Sequence, residues 1–337
     1  MSIGLDIGSK TIKIVELARD GTKFRLKASG IVGHKGKTPE LIKDDKELSL
    51  LAESIKKLHK EARISSREVS IALPETQVYT RTIRFPLLTD SEIASAVKWE
   101  AEQYIPIPVT DAIVQHQIIE RRENSSPAQV VVLLVAAPKA LVEKYAKVVE
   151  MAGLSLASVE TELMALVRAL APQDQTVLLV DFGATSTDIA IAKNSQLVFS
   201  RSIPTAGEAL TRAVAQILGV EELQAEEYKR TYGLSKTQLE GKIKTALDPV
   251  FRMVAEEMKK ASHYYQSEEK GDSPTSAILS GGTAGMPGAT SELTKLLGIE
   301  VIVGNPFAKV DVDPAAVKSL AGYAPFYSIS VGLAMRN

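Results

Sequence analysis

The stretch IGLDIGSKTIKIVEL, residues 3–17, sets an acid and a glycine among small polar and basic residues inside an otherwise strand-like run. Apolar residues alternate on both sides of it, the pattern of two strands joined by a tight turn. Asp6, Gly8, Ser9, Lys10 and Thr11 fall at that turn. Such a turn offers backbone N–H groups, hydroxyls and an ammonium to an anion, and a carboxylate to a hydrated metal ion. A plain hairpin accounts for Gly8 and Ser9, but not for Asp6, Lys10 and Thr11 together.

A second stretch, TVLLVDFGATSTDIAIAKNSQLVFSRSIP (176–204), repeats the plan: apolar strand, Asp181, Gly183, small hydroxyl residues, then two more strands. Asp6-Ile7-Gly8-Ser9 corresponds to Asp181-Phe182-Gly183-Ala184. An internal repeat of this kind predicts two similar halves. Two such turns facing each other would hold a polyphosphate from both sides. A third feature, SAILSGGTAGMPG (276–288), runs a buried strand into Gly281, Gly282, Gly285 and Gly288. Glycines there let backbone approach a flat or anionic ligand closely. The near P-loop at Gly36-Lys37-Thr38 fails, because Ile31 stands where the first glycine belongs.

Composition excludes several classes. The 337 residues are 45% hydrophobic and 24% charged, with a net charge of −1, so nothing draws the chain as a whole to nucleic acid or membrane. There is no cysteine, hence no disulfide, thiolate metal site or cysteine nucleophile. His34, His59, His116 and His263 are too scattered for a metal site. No apolar run approaches the ~20 residues of a spanning helix, and no signal peptide is evident. The expectation is a cytoplasmic protein whose membrane contact comes through a partner.

Between the two repeats, strand, helix, two strands and helix from about Val78 (VYTRTIRFP, TDSEIASAVKWEAEQYIP, DAIVQHQIIERRE, AQVVVLLVAAPK, ALVEKYAKVVEMAG) form an α+β unit, an insertion within a larger domain. SVETELMALVRALAP (158–172) reads as a helix, and GEALTRAVAQILG, LQAEEYKRTYG and IKTALDPVFRMVAEEMKKASHYYQS as three more.

Together DIGSKTIK, DFGATSTD and LSGGTAGMPG resemble the two phosphate loops and the adenosine motif of the actin-like ATPase superfamily. The likeness extends over the whole chain and implies an α/β fold, duplicated and ribonuclease H-like, with two lobes around a nucleotide cleft. The position of the inserted unit resembles FtsA and PilM, not actin or MreB. WEAEQYIPIPVTDAIVQHQII (99–119) is similar to the PilM family, whose acidic helix ends in Tyr-Ile-Pro. The end, YSISVGLAMRN (327–337), carries no basic amphipathic helix of the FtsA kind.

The resemblance implies a first core lobe of 1–77, 158–175 and 323–337, an inserted subdomain at 78–157, a second core lobe of 176–205 and 271–322, and a helical subdomain at 206–270. It implies ATP and Mg²⁺ as cofactors. Asp6 and Asp181 would hold the ion through water. Gly8, Ser9, Lys10 and Thr11 would meet the phosphates from one side, and Gly183, Ala184 and Thr185 from the other. Lys13 lies on the same strand face as Thr11, with solvent as its alternative surroundings. Gly207 would mark the entry to a helix near the nucleotide. Glu226 and Lys229, at i and i+3, would flank the adenosine, with Gly281, Gly282 and Thr283 beneath it. Glu160 matches the water-positioning glutamate of the superfamily, with Glu162 as the alternative, and turnover would be slow if it occurs. The implied partner is a PilN-like membrane protein, whose N-terminal peptide would sit in a groove between the first lobe and the inserted subdomain. A pilus assembly ATPase, a platform protein and self-association are further possible contacts. An FtsA-like division filament and a sugar or acid kinase are the competing readings.

Overall fold

The computed structural model describes residues 1–124 and 126–336. Ser125, in the expected loop ENSSP, and Asn337, at the end of the expected first lobe, lie outside the described residues. The chain opens with β1 (Ser2–Ile7), β2 (Thr11–Asp20) and β3 (Lys23–Gly33), then α1 (Asp45–Glu61) and β4 (Glu68–Leu73). The inserted unit follows as β5 (Tyr79–Pro86), α2 (Asp90–Tyr104), β6 (Ala112–Arg122) and β7 (Gln129–Pro138). Next come α3 (Lys139–Met151), β8 (Ser155–Thr161) and α4 (Glu162–Leu170). The second half holds β9 (Thr176–Phe182), β10 (Thr187–Lys193), β11 (Gln196–Ile203), α5 (Gly207–Leu218), α6 (Glu222–Tyr232), α7 (Lys242–Ser267), β12 (Ser276–Ser280), α8 (Ala289–Leu297) and β13 (Glu300–Val303). β14 (Val310–Asp311), α9 (Pro314–Ala321) and α10 (Ser328–Ala334) complete it.

The strands form three sheets, ordered β14-β3-β2-β1-β4-β8, β11-β10-β9-β12-β13 and β5-β7-β6. The two larger sheets share one plan. Each starts as a three-stranded antiparallel meander and continues from its first strand into parallel strands, β4 beside β1 and β12 beside β9. The sequence repeat is therefore a structural duplication. The parallel strands are buried almost throughout, which explains their unbroken apolar runs.

α1 and α3 cover one face of the first sheet, their stripes of Leu51, Ile55, Tyr145 and Val148 entering a common core with Ile3, Leu5 and Ile71. α5, α7 and α8 cover the second sheet in the same way. In the inserted unit, Ile93, Val97 and Ala101 of α2 pack on Ile83, Val132 and Leu134. α2 opens on a capping box, with Thr89 accepting from the Glu92 N–H and Glu92 reaching back to the Thr89 N–H.

Three boundaries differ from the sequence reading. The inserted sheet spans only Tyr79–Pro138, because α3 packs into the first-lobe core and β8 pairs with β4 as an edge of the first sheet. Ser158–Thr161, expected to be helical, is the end of β8; the helix begins at Glu162, capped by the Thr161 side chain. At the far end, β14 pairs with β3, and Phe307 and Leu320 pack on Val15 and Leu17, so residues from about 306 belong to the first lobe.

α4 and α10 cross between the two large sheets. α4 buries Leu163, Leu166 and Leu170 with the strands of the second sheet, while α10 lies on β1 and β4. Every residue of α10 is buried. Small residues permit this layering: a Cβ on Gly4 would lie 1.9 Å from Ser330 O, and one on Gly332 would lie 1.9 Å from Ala165 O. Neither backbone can yield without separating the layers. Gly332→Ala is expected to cost at least about 2 kcal/mol of stability, read from urea unfolding against the wild type.

Candidate functional site

The strand ends that carry the repeats meet between the lobes. In each half the glycine N–H closes the same turn, Gly8 to Thr11 O and Gly183 to Ser186 O, both 3.1 Å. In the ladders Asp6 stands opposite Lys13, and Asp181 stands opposite Asp188. The duplication thus places a cation in one half where the other carries an anion. The two turns face each other: Thr185 Oγ1 is 3.5 Å from Ser9 Oγ, and Lys10 Nζ is 2.6 Å from a Glu208 carboxylate oxygen.

The glycine-rich turn after β12 completes the wall. β12 is in register with β9, Ser280 beside Asp181. Gly281 has φ +85°, and a Cβ there would meet Phe182 O at 2.6 Å and Asp181 Oδ1 at 2.7 Å. Only glycine fits that left-handed, crowded position. The Thr283 N–H binds Phe182 O at 3.1 Å, tying this turn to the second repeat. Across it, the α5 N-terminus holds the same loop, Gly207 N–H to Gly183 O at 3.1 Å and Glu208 N–H to Ala184 O at 2.8 Å. On α6, buried Lys229 donates to Gly207 O (3.0 Å) and Thr211 Oγ1 (2.9 Å) and pairs with Glu226. Burial pushes the Lys229 ammonium down; burial works against the Glu226 charge too, but Lys229 and Thr211 outweigh it and hold that carboxyl low.

These groups line one cavity of about 790 Å³. It brings together Asp6, Gly8, Ser9, Lys10, Thr11, Asp181, Gly183, Ala184, Thr185, Gly207, Glu226, Lys229, Gly281, Gly282 and Thr283. Phe326, also lining it, comes within 3.1 Å of a Cβ built on Gly282. That aromatic face had no signal in the sequence, since it arrives from the far end of the chain.

Glu160 is not among the lining residues. It is 7% exposed and clamped by Arg168 through two 2.6 Å bonds, with Arg336 at 3.2 Å. A carboxylate held by two guanidinium groups is a structural pair. Glu162, two residues on and at the start of α4, lines the cavity instead.

Lys13 lines the cavity and is mostly shielded from solvent, its Nζ 2.8 Å from Asp6 Oδ2. Burial opposes its charge, but Asp6 and the fields of Asp181 and Glu162 outweigh that, and the ammonium is held above its usual range. It faces an excess of acids. Burial, then Asp188, pushes Asp181 up to about 7, and burial pushes Asp188 to about 6. Glu162 is driven well above the carboxylate range by burial and by Asp188, Asp6 and Asp181. Asp188 Oδ1 is buried with no partner. Among the described residues no three acids or histidines converge to ligate an ion directly.

A family model described as type IV pilus assembly protein PilM matches residues 4–337. The chain belongs to the PilM family. The structure titled PilM-PilN type IV pilus biogenesis complex superposes with a TM-score of 0.84 at 29% identity, covering 99% of this chain and 98% of that one. MreB5 of Spiroplasma citri bound to AMPPNP gives a TM-score of 0.56 at 14% identity over 98% and 93% of the two chains, a likeness of fold. Cell division protein FtsA of Pseudomonas aeruginosa is 24% identical, covering 99% of this chain and 88% of its own. FtsA of Streptococcus pneumoniae is 22% identical over 88% and 74%. The fold is that of the actin-like ATPases. No helix among the described residues is long and apolar enough to cross a membrane.

The raised acids carry a sign. A carboxyl lifted in the folded state keeps its proton there while the unfolded chain loses it, so stability is full below about pH 4 and declines as pH rises through 6 to 7. Asp188→Asn removes part of that slope. Thermal unfolding of the nucleotide-free protein from pH 5 to 8 is expected to fall less steeply in the variant, by on the order of 2 kcal/mol over the range.

Proposed function

We propose that the chain is a nucleotide-binding component of a type IV pilus assembly platform, or of a related secretion or DNA-uptake machine. It would bind ATP with Mg²⁺ and reach the membrane by holding the N-terminal peptide of a PilN-like protein. The observation that carries the nucleotide half is the pair of opposed turns, with the excess of buried acid behind them. Anionic phosphates and excess carboxylates are compatible in one cavity only when a cation stands between them.

Ser9, Thr11, Thr185 and the turn amides would bind phosphate oxygens, and Asp6 and Asp181 would hold the ion through its water. Lys13 offsets charge from its place beside Asp6. Lys10 is exposed and its pairing with Glu208 is weak, so it would be free to turn to a phosphate. Glu226 and Lys229 would hold the sugar and base, with Gly281, Gly282 and Thr283 beneath them. Mg²⁺ supplies charge neutralisation between the phosphates and helps polarise the γ-phosphate. For hydrolysis, Glu162 is the carboxylate placed to orient an attacking water.

The PilM–PilN complex and the family match support the partner, and the partner in turn supports a position at the inner face of the cytoplasmic membrane. The FtsA relatives keep the division-filament reading in view, yet the family match over residues 4–337 favours pilus assembly. Calorimetry with Mg²⁺–ATP is expected to show binding that Asp6→Ala and Asp181→Ala each weaken at least tenfold. Unaltered affinity in both variants contradicts the site. Any turnover is expected to drop at least tenfold in Glu162→Gln. Glu160→Gln is expected to lower the unfolding temperature and leave nucleotide affinity in place.

A further inference from the structure

The cleft has a wall that the proposed phosphate and adenosine contacts leave unused. Thr38, Glu40 and Tyr145 line the same cavity as Asp6, Ser9 and Glu162. The loop that brings Thr38 there folds back on the first phosphate turn. The His34 N–H donates to Lys10 O at 2.7 Å, and His34 Nε2 lies 3.1 Å from Lys37 O. This loop holds the Gly36-Lys37-Thr38 run that fails as a P-loop, and its Lys37 turns away to pair with Glu47 at 2.8 Å. Thr38 instead turns into the cavity wall and is 6% exposed.

Thr38 precedes the short 3₁₀ turn Pro39–Leu41, a place where a hydroxyl ordinarily accepts from a backbone N–H, yet its side chain makes no such cap. Its Oγ1 donates to Glu40 Oε1. The other oxygen of that carboxylate, Oε2, accepts from the Tyr145 hydroxyl at 2.9 Å. Tyr145 is buried on α3, so the carboxylate is held from a packed helix. Burial, then the fields of Glu40, Glu162 and Asp6, raise the Tyr145 hydroxyl well above its usual range and keep it a donor. A hydroxyl, a carboxylate bonded to it and a donor that fixes the carboxylate thus share the cleft. Nucleophile, base and orienting group in hydrogen-bonded sequence are the arrangement that activates a hydroxyl.

We propose that Thr38 accepts a phosphoryl group from the Mg²⁺-bound nucleoside triphosphate of the same cleft, with Glu40 as general base and Tyr145 as the positioning residue behind it. The inference rests on the nucleotide reading above and adds a covalent step to that site. A bond forms between Thr38 Oγ1 and the terminal phosphorus. The bond from that phosphorus to the β–γ bridging oxygen breaks, its electron pair leaving on the diphosphate, and the hydroxyl proton passes to Glu40. Burial keeps bulk water away from the hydroxyl. The product limits itself: a phosphothreonine adds about two negative charges to a cavity that already holds Glu40, Asp6 and Glu162, and like charges there oppose the binding of a second triphosphate. The modified chain is therefore a low-affinity form, distinct from one that has only released its nucleotide.

The test incubates the full-length chain with Mg²⁺–ATP, maps phosphate by peptide mass spectrometry, and measures the Mg²⁺–ATP affinity of each variant by calorimetry. Phosphate is expected on Thr38, at a rate per chain independent of protein concentration. Thr38→Val removes it and Thr38→Ser keeps it at the same position. Glu40→Gln is expected to slow the transfer at least about tenfold, and Tyr145→Phe to slow it less, both with nucleotide affinity unchanged. Thr38→Glu is expected to weaken Mg²⁺–ATP binding at least about tenfold where Thr38→Val does not. Phosphate on other residues only, or none at Thr38 while calorimetry shows Mg²⁺–ATP bound, overturns the acceptor site and leaves the nucleotide reading standing. Transfer at the wild-type rate in Glu40→Gln overturns the base, and unchanged affinity in Thr38→Glu overturns the low-affinity form. No binding of Mg²⁺–ATP to the folded wild type overturns both readings.

Discussion

The ion pair between Lys13 and Asp6 is the contact on which the cleft depends. It is part-buried, 2.8 Å long, and stands at the strand ends where two duplicated sheets converge. Opposite it the second repeat puts Asp188 at the place of the lysine, so the halves are alike in backbone and unlike in charge. One ammonium then faces Asp6, Asp181, Asp188 and Glu162. Carboxylates crowded in a buried site hold protons or attract a cation. The hydroxyl-bearing turns beside them attract anions. Both demands are met together by a metal-bound phosphate chain, which is why the geometry argues for a nucleotide more strongly than either loop alone.

Around that contact the fold packs two helices between its duplicated sheets. α4 and α10 lie between the sheets at a separation that Gly4 and Gly332 make possible, and the Glu160 clamp on Arg168 and Arg336 fixes the start of α4 to the C-terminal segment. The same segment of chain, β8 running into α4, positions Glu162 in the cavity, where its Oε2 accepts the Glu75 N–H at 3.2 Å.

Much of this was legible in the residues. The repeat of Asp-x-Gly turns, the glycine-rich turn after a buried strand and the Glu226–Lys229 spacing are local patterns, and the structure gathers them into one cavity. What escaped was set by contacts distant in sequence. Glu160 and Glu162 are equivalent in composition and spacing; only the continuation of β8 to Thr161 sends one to the arginines and the other to the cleft. Lys13 looked as much solvated as functional, because nothing nearby in sequence shows that its strand end is roofed by the other lobe. α3 was recognised as an amphipathic helix, but its apolar stripe does not say which core it enters.

The most direct measurement is the crystal structure of the chain with Mg²⁺ and a non-hydrolysable ATP analogue. The account predicts β- and γ-phosphates between residues 8–11 and 183–186, Lys10 released from Glu208, and a hydrated ion within water-mediated reach of Asp6 and Asp181. Nucleotide bound outside this cleft, or phosphates that leave Asp181 and Asp188 facing no cation, would contradict it.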